Sequence, residues 1–397
     1  MKVLWLTQLP YSQLPNTKNP QGHPVPWIAS LAQPLSDQIE LTIASNNGRI
    51  EADEEFMIGN IRYWFIKAPR LAFNLASLNS LSSNVIHAKL MKRIQEFDLI
   101  HIHGSESMLH QACWNLPVPK VLSVQGIIDE YYRYLEEPFS RRRLLWQVAR
   151  HAENTYLPKL SHFMCRTEWD KAWVKRNCAN AVIHHCWECI RREFFETQVD
   201  PTDKNKIFFL GGGDYIKGNR EALVAFNKAL HSAPELKLVY VLPGGPSEAG
   251  QIEEFITANN LDKINSDNLI IKSRMGAAEM IAEYRNCFCL LHPSYIDNSP
   301  NTVCEAQIIG LPVIASKVGG VGSLIEHGKT GILTSLNTDD ISKAIVDLYR
   351  DKQKQQAIAS TALPLARERH NASDIVHTTL AIYENVIKSA IPINAAV

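Results

Sequence analysis

Short, continuously apolar runs separated by helical patterns recur along both halves of the chain. Such runs mark strands that are covered on both faces, because a strand with one solvated face alternates apolar and polar residues. The pattern therefore predicts an α/β protein with two doubly wound domains. The predicted strands are residues 3–7, 39–44, 61–66, 99–103, 121–124 and 162–165 in the first half, and 207–210, 236–242, 269–271, 287–291, 313–316 and 332–334 in the second.

Length and composition narrow the class of protein. The chain has 397 residues, more than one hydrophobic core usually holds. We place the boundary in the polar stretch 197–206, and we expect a ligand in the cleft between the domains. The formal net charge of zero does not favour a nucleic-acid partner. No apolar run reaches the roughly 20 residues of a membrane helix. Eight cysteines without a regular framework predict reduced thiols and a cytoplasmic location.

Two carboxylates, Asp297 and Glu305, flank a predicted loop-to-helix junction. We expect Ser299 to cap this helix and Pro300 to lie in its first turn, where a missing N–H costs nothing. A helix N-terminus offers unpaired N–H groups and a partial positive charge, which suit a phosphate. Glu305 points back toward that terminus because helical side chains lean that way. The junction predicts a site for a phosphorylated, hydroxyl-rich ligand such as a nucleotide-sugar.

A glycine-rich loop and a lysine follow the predicted strand 207–210. The loop begins Gly211-Gly212-Gly213 and leads to Lys217. Glycines let a backbone approach a ligand closely, and a lysine can neutralise a diphosphate. Alone, the segment is equally typical of a strand-to-helix turn with a solvated lysine. Its spacing matches neither the dinucleotide fingerprint nor the Walker loop.

Taken together, these two segments resemble the nucleotide-sugar domain of the retaining GT-B glycosyltransferases, particularly glycosyltransferase family four. The loop Gly211–Gly218 resembles the glycine and Lys-Gly pattern that opens that domain, and Asp297–Gly320 resembles its acid-x7-acid motif with the following Gly-x-Pro-Val-Ile-Ala-Ser-x-x-Gly-Gly. The resemblance implies a GT-B fold: an acceptor-binding Rossmann-like domain over 1–200, a nucleotide-sugar-binding one over 201–371, and a C-terminal helix in 372–397 that crosses back to the first domain.

The resemblance also implies a role for each matching position. Lys217 would hold the donor diphosphate, Asp297 would contact the donor sugar, and Glu305 would bind the ribose hydroxyls. Backbone N–H groups at Asn301 and Thr302 would meet the distal phosphate. The remaining residues expected near the donor are Gly22, Gly212, Gly213, Asn298 and Ser299.

The chain departs from the family pattern at three positions. The family usually has Glu where Asp297 stands, and often has arginine where Gly212 stands. Many members have histidine where this chain has Gln125, whose amide could orient the sugar or acceptor but cannot act as a base. A subset of bacterial surface-polysaccharide enzymes shares this Ser-x-Gln-Gly element and an Arg-Thr-Glu-Trp-Asp element like that of Arg166–Asp170.

Other N-terminal residues are weaker candidates. His103 ends a predicted strand and is either a base or acceptor contact, or a satisfied loop histidine. Arg166 is either an acceptor-binding residue or a structural arginine before a helix capped by Thr167. The basic amphipathic segment 138–150 either lies on an anionic membrane at its inner face or is a solvated helix face. The lone Cys-x-x-Cys at Cys186 and Cys189 does not favour a metal site, since zinc sites usually need a second ligand pair.

The function expected from the sequence is therefore transfer of a sugar from a UDP- or GDP-sugar to a glycan, polysaccharide or lipid-linked hydroxyl. The resemblance implies retention of anomeric configuration, and no metal or other cofactor is expected. Two alternatives stay open: a nucleotide-sugar epimerase or hydrolase of the same fold, and a non-catalytic sugar-binding subunit.

Overall fold

The computed structural model describes residues 1–10, 25–69, 75–135, 139–212, 215–242 and 246–390. The chain divides into two compact units. The first comprises Met1–Cys189 together with the stretch that begins at Asn371, and the second is Ile190–His370. Each unit holds one β-sheet with helices packed against it.

Every apolar run that the sequence predicted as a strand forms one. Two further strands, Glu54–Ile58 and Val182–His185, were not predicted. In chain order the strands are β1 Lys2–Leu6, β2 Glu40–Asn47, β3 Glu54–Ile58, β4 Ile61–Lys67, β5 Leu99–His103, β6 Lys120–Ser123, β7 His162–Cys165, β8 Val182–His185, β9 Lys206–Leu210, β10 Lys237–Leu242, β11 Leu269–Ser273, β12 Cys287–His292, β13 Val313–Ser316 and β14 Ile332–Thr334.

Helices alternate with these strands, as a doubly wound fold requires. In chain order they are α1 Pro26–Ser36, α2 Ser80–Lys92, α3 Leu109–Cys113, α4 Ile128–Tyr131, α5 Arg141–Tyr156, α6 Glu168–Asn177, α7 Asn219–Leu230, α8 Pro246–Ala258, α9 Ala277–Tyr284, α10 Asn301–Ile309, α11 Thr338–Arg350, α12 Lys352–Arg369 and α13 Ala372–Ala390.

The first sheet has the strand order β3-β4-β2-β1-β5-β6-β7-β8. Its pairs are parallel except for β3 with β4. Successive residues of β1 pack into different cores: Val3 and Trp5 join one hydrophobic cluster, and Leu4 and Leu6 join another. Both faces of the sheet are therefore buried, which explains why its strands are continuously apolar.

The second sheet has the order β11-β10-β9-β12-β13-β14, and all its strands are parallel. Numbered within the sheet, this is the 3-2-1-4-5-6 order of doubly wound folds. The order reverses between β9 and β12, and such folds bind ligands beyond the carboxyl ends of the strands at this point. The loop with Lys217 follows β9, and the loop with Asp297 follows β12. The predicted fold class is confirmed.

The chain enters the second unit between Cys189 and Ile190, ahead of the boundary predicted at residues 200 and 201. The stretch between these points already belongs to the second unit. Phe194 is fully buried, and the Val199 N–H donates to the Ile309 carbonyl over 2.8 Å. The polar composition of 197–206 therefore marks a surface segment inside the second unit.

The last helix, α13, is part of the first unit. Its Tyr383 is fully buried, and the Trp5 Nε1–H donates to the Tyr383 hydroxyl over 2.9 Å. Across the described ranges, no helix is long and apolar enough to cross a membrane. All eight cysteines are buried and free.

Candidate functional site

Two glycines let the β9 loop of the second unit pass close to its neighbours, β10 at Gly211 and the β12 loop at Gly218. A Cβ on Gly211 would lie 1.9 Å from the Tyr240 ring, so only glycine fits beside it. Gly218 has a φ of +76°, and a Cβ there would lie 1.9 Å from the Pro293 carbonyl oxygen. The short 3-10 helix Tyr215–Lys217 lies between Gly211 and Gly218 along the chain, and it is hydrogen-bonded to the β12 loop.

Two hydrogen bonds join this 3-10 helix to the β12 loop. The Tyr295 N–H and the Ser294 hydroxyl both donate to the Ile216 carbonyl, over 2.8 and 3.0 Å. The loops of β9 and β12 therefore form one surface at the switch point. Gly212 lies on this surface, whereas Gly213 and Gly22 fall outside the described residues.

Lys217 and Asp297, which the sequence placed in separate motifs, form an ion pair. Lys217 Nζ lies 2.8 Å from Asp297 Oδ2, and His292 Nε2 lies 3.4 Å from the same oxygen. The Asn298 N–H donates to Asp297 Oδ1 over 3.0 Å. Burial raises the pKa of Asp297, but Lys217 and His292 outweigh it and hold that pKa well below its ordinary value. The carboxylate is therefore charged at neutral pH.

The backbone of Asp297 is also fixed. Its carbonyl accepts from the Gly320 N–H over 2.9 Å. Gly319 has a φ of +49°, and a Cβ there would lie 2.1 Å from the Asp297 carbonyl oxygen. The double glycine after β13 is thus required for the position of the acid.

The helix after Asp297 begins one residue later than predicted. Pro300, in an extended conformation, is the N-cap of α10, and no side chain caps the helix, so Ser299 does not have the predicted capping role. The Pro300 carbonyl accepts from the N–H groups of the third and fourth helical residues. The N–H groups of Asn301 and Thr302 are not bonded to that carbonyl, and both residues are partly exposed. This first turn lies next to the buried Asn298 and Ser299.

Glu305 already has a protein partner, which the sequence did not reveal. Its Oε1 accepts from Arg191 Nε and Nη2 over 2.8 and 2.7 Å. Burial raises the pKa of Glu305 to about 7, although the Arg191 charge opposes that rise. The buried Glu305 is therefore paired with a cation within the protein. Arg191 lies in no motif. The sequence indicates only that a buried Glu305 requires some cation nearby, and not that this cation is Arg191.

Two predicted residues of the first unit follow neighbouring strands: Gln125 follows β6, and Arg166 follows β7. Arg166 Nη1 donates to Gln125 Oε1 over 2.8 Å, and Arg166 Nε lies 3.0 Å from Glu188 Oε2. Glu188 is buried and was not predicted. Thr167 caps α6 with its side chain, as the sequence predicted. The arrangement fixes Arg166 between an amide and a carboxylate.

Glu188 lies within the Cys-x-x-Cys segment. Burial raises the pKa of Cys186 to about 11 and that of Cys189 to about 12, so both thiols stay protonated at neutral pH. The group of this segment that pairs with Arg166 is the Glu188 carboxylate. Within the ranges that the structure describes, no group of three or more His, Cys, Asp or Glu residues could hold a metal ion.

His103, the last residue of β5, is buried in an aromatic cluster. Its ring stacks on His101 with centroids 3.9 Å apart, and lies 4.3 Å from the Trp5 ring and 5.9 Å from the Trp27 ring. Burial and the neighbouring His101 hold the pKa of His103 well below its ordinary value. His103 is therefore neutral at physiological pH.

A hydrogen-bond chain fixes the proton of His101. Its Nδ1 lies 2.6 Å from the Tyr383 hydroxyl, and its Nε2 lies 2.5 Å from the Ser123 hydroxyl. Trp5 donates to the oxygen of Tyr383, so the Tyr383 proton points to His101 Nδ1. The neutral ring consequently carries its own proton on Nε2.

Comparison with known proteins finds a family model that matches most of the second unit. Residues 190–363 match the model described as "Glycosyl transferases group 1". We call this matched segment the group 1 domain. It includes four charged side chains of the candidate site, Arg191, Lys217, Asp297 and Glu305.

Relatives of known function and solved structures resemble the chain more widely. A D-inositol 3-phosphate glycosyltransferase from Corynebacterium efficiens is 27% identical over 258 residues, which span 60% of this chain and 59% of the relative. Sucrose-phosphate synthase from Thermosynechococcus elongatus superimposes with a TM-score of 0.75 at 15% identity, over 98% of this chain and 100% of that one. Alr3699/HepE from Anabaena, in complex with UDP, has a TM-score of 0.68 at 18% identity, over 97% and 100%. The group 1 domain is thus part of a GT-B fold, as the sequence predicted.

Proposed function

We propose that this protein transfers a sugar from a nucleotide-sugar to a hydroxyl acceptor, with the donor bound by the group 1 domain. The observation that carries the proposal is the Lys217–Asp297 pair at the switch point of the second sheet, next to the first turn of α10. A cation, a helix N-terminus and a charged acid suit the diphosphate and hydroxyl groups of such a donor.

The site has the groups that the leaving nucleotide requires. Departure of a nucleoside diphosphate builds negative charge on its phosphate oxygens. The Lys217 ammonium and the N–H groups of Asn301 and Thr302 would stabilise that charge, because they would already contact the diphosphate of the bound donor before the sugar is transferred. Asp297 is charged and buried, and would accept hydrogen bonds from donor sugar hydroxyls. No step requires a metal ion.

We further propose that the donor is a UDP- or GDP-sugar and that the anomeric configuration is retained. The Anabaena structure contains UDP, which supports a uridine donor first. Asp297 is assigned to the sugar hydroxyls, so we propose no enzymic nucleophile. The leaving phosphate itself would then help to deprotonate the incoming hydroxyl.

The first unit would bind the acceptor, through Gln125, Arg166 and His103. Arg166 donates to Gln125 Oε1 over 2.8 Å, which fixes the orientation of the Gln125 amide. A glycan, polysaccharide or lipid-linked hydroxyl is the proposed acceptor. We also propose a cytoplasmic location. We further propose peripheral contact with the membrane through α5, because Phe139 is 99% exposed beside this basic helix and Leu144 is 50% exposed.

The decisive experiment is a thermal-shift panel of uridine, guanosine and adenosine diphosphates, with and without magnesium. A ligand at 100 times its dissociation constant adds about 2.7 kcal/mol to stability. We expect a shift with UDP or GDP that does not depend on magnesium. No shift with any of the three would refute the donor site, and anomer-resolved NMR of a product with inverted configuration would refute retention.

A further inference from the structure

We propose that Arg191 is a positioning residue of the donor site: it occupies one oxygen of Glu305, so that the other oxygen, Oε2, receives the ribose hydroxyls of the donor. This inference rests on the proposed function, and it concerns a residue outside every motif that the sequence displayed.

The geometry of the Arg191–Glu305 contact carries the inference. Both contacting nitrogens of Arg191, Nε and Nη2, meet the same oxygen, Oε1. In the usual bidentate pair, each nitrogen meets its own oxygen. Among the described residues, none donates a hydrogen bond to Glu305 Oε2. Oε2 is therefore the carboxylate oxygen that remains to accept hydrogen bonds from a ligand.

Arg191 is clamped in place by apolar neighbours. Its guanidinium carbon lies 4.8 Å from the centroid of the buried Phe194 ring, and its Nη2 lies 3.4 Å from Met280 Sδ. Only 17% of its side chain is exposed. An arginine held in this way cannot turn toward a phosphate, so its effect on a ligand passes through Glu305.

The chemistry of the ligand explains why the second oxygen matters. A ribose presents two neighbouring O–H donors, and an ionised carboxylate oxygen has two lone pairs to accept them. A protonated carboxyl group would itself donate, and would lose one of those contacts. The Arg191 charge favours the ionised form, against burial and the nearby Glu193, and the hydroxyl of Tyr284 is the other titratable group that faces the acid.

The test compares UDP and GDP with their 2′,3′-dideoxy analogues, by isothermal titration calorimetry on the full chain. In the native protein, the hydroxyl-bearing nucleotide should bind more tightly than its analogue. In Arg191→Met this advantage should fall about tenfold or more, since a hydrogen bond to a charged group is involved. Affinity for the dideoxy analogue should change less than twofold. Arg191→Lys, which keeps the charge, should recover part of the advantage.

Two further variants separate positioning from folding. Lys217→Met is the matched control and should weaken both nucleotides alike, because it acts on the phosphates. Glu305→Gln should lose the advantage by itself, and adding Arg191→Met to it should cause no further loss. In the native protein, the preference for the hydroxyl-bearing nucleotide over its dideoxy analogue should increase as the pH rises from 6 to 8. In Arg191→Met, the same increase should occur at higher pH.

Each opposing result has a distinct meaning. If Arg191→Met weakens a nucleotide and its analogue equally, or keeps the full advantage, Arg191 is structural only and the inference is overturned. If the native protein binds a nucleotide without preferring the hydroxyls, the inference is overturned and the donor site stands. If it binds neither UDP nor GDP, the proposed function falls as well.

Discussion

The two ion pairs of the second unit differ in almost every physical respect. Lys217 is 41% exposed and its partner Asp297 is ionised, whereas Arg191 is 17% exposed and burial raises the pKa of its partner Glu305 to about 7. An exposed lysine can leave its partner for a ligand at little cost. A clamped arginine cannot. The first pair is therefore suited to exchange partners when a diphosphate arrives, and the second to hold still.

The largest expected effect is a loss of catalytic rate when the cation of the first pair is removed. Lys217→Ala removes the mobile cation, and should lower kcat by about 10²–10³, or roughly 3–4 kcal/mol, as loss of one preorganised charge-stabilising group does. Steady-state assays of sugar transfer measure this. The control is Lys228→Ala, which removes a lysine paired with Asp339 away from the switch point. Equal activity of Lys217→Ala and the native protein would contradict the assigned role.

The next effect concerns stability, and it should separate the two pairs. Arg191→Met leaves the buried Glu305 carboxylate without its cation, and should cost about 3 kcal/mol of unfolding free energy. Lys217→Met removes a half-exposed cation and leaves His292 beside Asp297, and should cost less than about 1 kcal/mol. Hydrogen exchange of peptides from α10 measures both. Similar losses in the two variants would remove the distinction between a mobile and a fixed pair.

A comparable buried pair in the first unit extends the comparison. Glu188→Gln breaks the contact with Arg166 but keeps the Arg166–Gln125 hydrogen bond, so about 2 kcal/mol should be lost. All eight tryptophans lie between Trp5 and Trp187. Tryptophan fluorescence during urea unfolding should therefore detect Glu188→Gln, whereas Arg191→Met, which acts on the second unit, should leave that signal unchanged. A fluorescence midpoint that moves with Arg191→Met would mean that the two units unfold together.

The smallest effect is the pH dependence of the second unit, where the two acids act in opposite directions. Glu305 has a folded pKa of about 7, above its ordinary 4.5, so the folded state binds more protons and its contribution to stability falls as the pH rises through this window. Asp297 has a folded pKa below its ordinary 3.8, so its contribution is lost as the pH falls below that value. We expect Glu305→Gln to reduce the change of stability with pH at the upper end of the range, and Asp297→Asn to reduce it at the lower end. Hydrogen exchange across pH 3–8 measures both.

The sequence predicted the architecture because buried strands leave a local signal. It missed β3 and β8, which are the two edge strands of the first sheet. Residues of β3 alternate in burial, and β8 ends in two histidines, so neither shows a continuous apolar run. Edge strands have one neighbour and tolerate such polar residues.

The site was predicted as far as its residues lie in local patterns. Lys217, Asp297 and Glu305 belong to motifs with fixed spacing, and the structure places all three at the switch point of the second sheet. Arg191 and Glu188 were missed because their partners lie far along the chain: Glu305 for the first and Arg166 for the second. Single-residue, long-range pairing leaves no pattern in one sequence. The predicted cap at Ser299 was wrong because Pro300 itself occupies the cap position.

The return of α13 to the first unit has a consequence for synthesis on the ribosome. The second unit is one unbroken segment, Ile190–His370, and it emerges before Tyr383 has been made. Until then Trp5 and His101 lack the hydroxyl that joins them, and the core cluster around Trp5 lacks the apolar side chains of α13. The first unit, whose translation begins first, therefore completes its fold last, after the whole of the second unit has been synthesised.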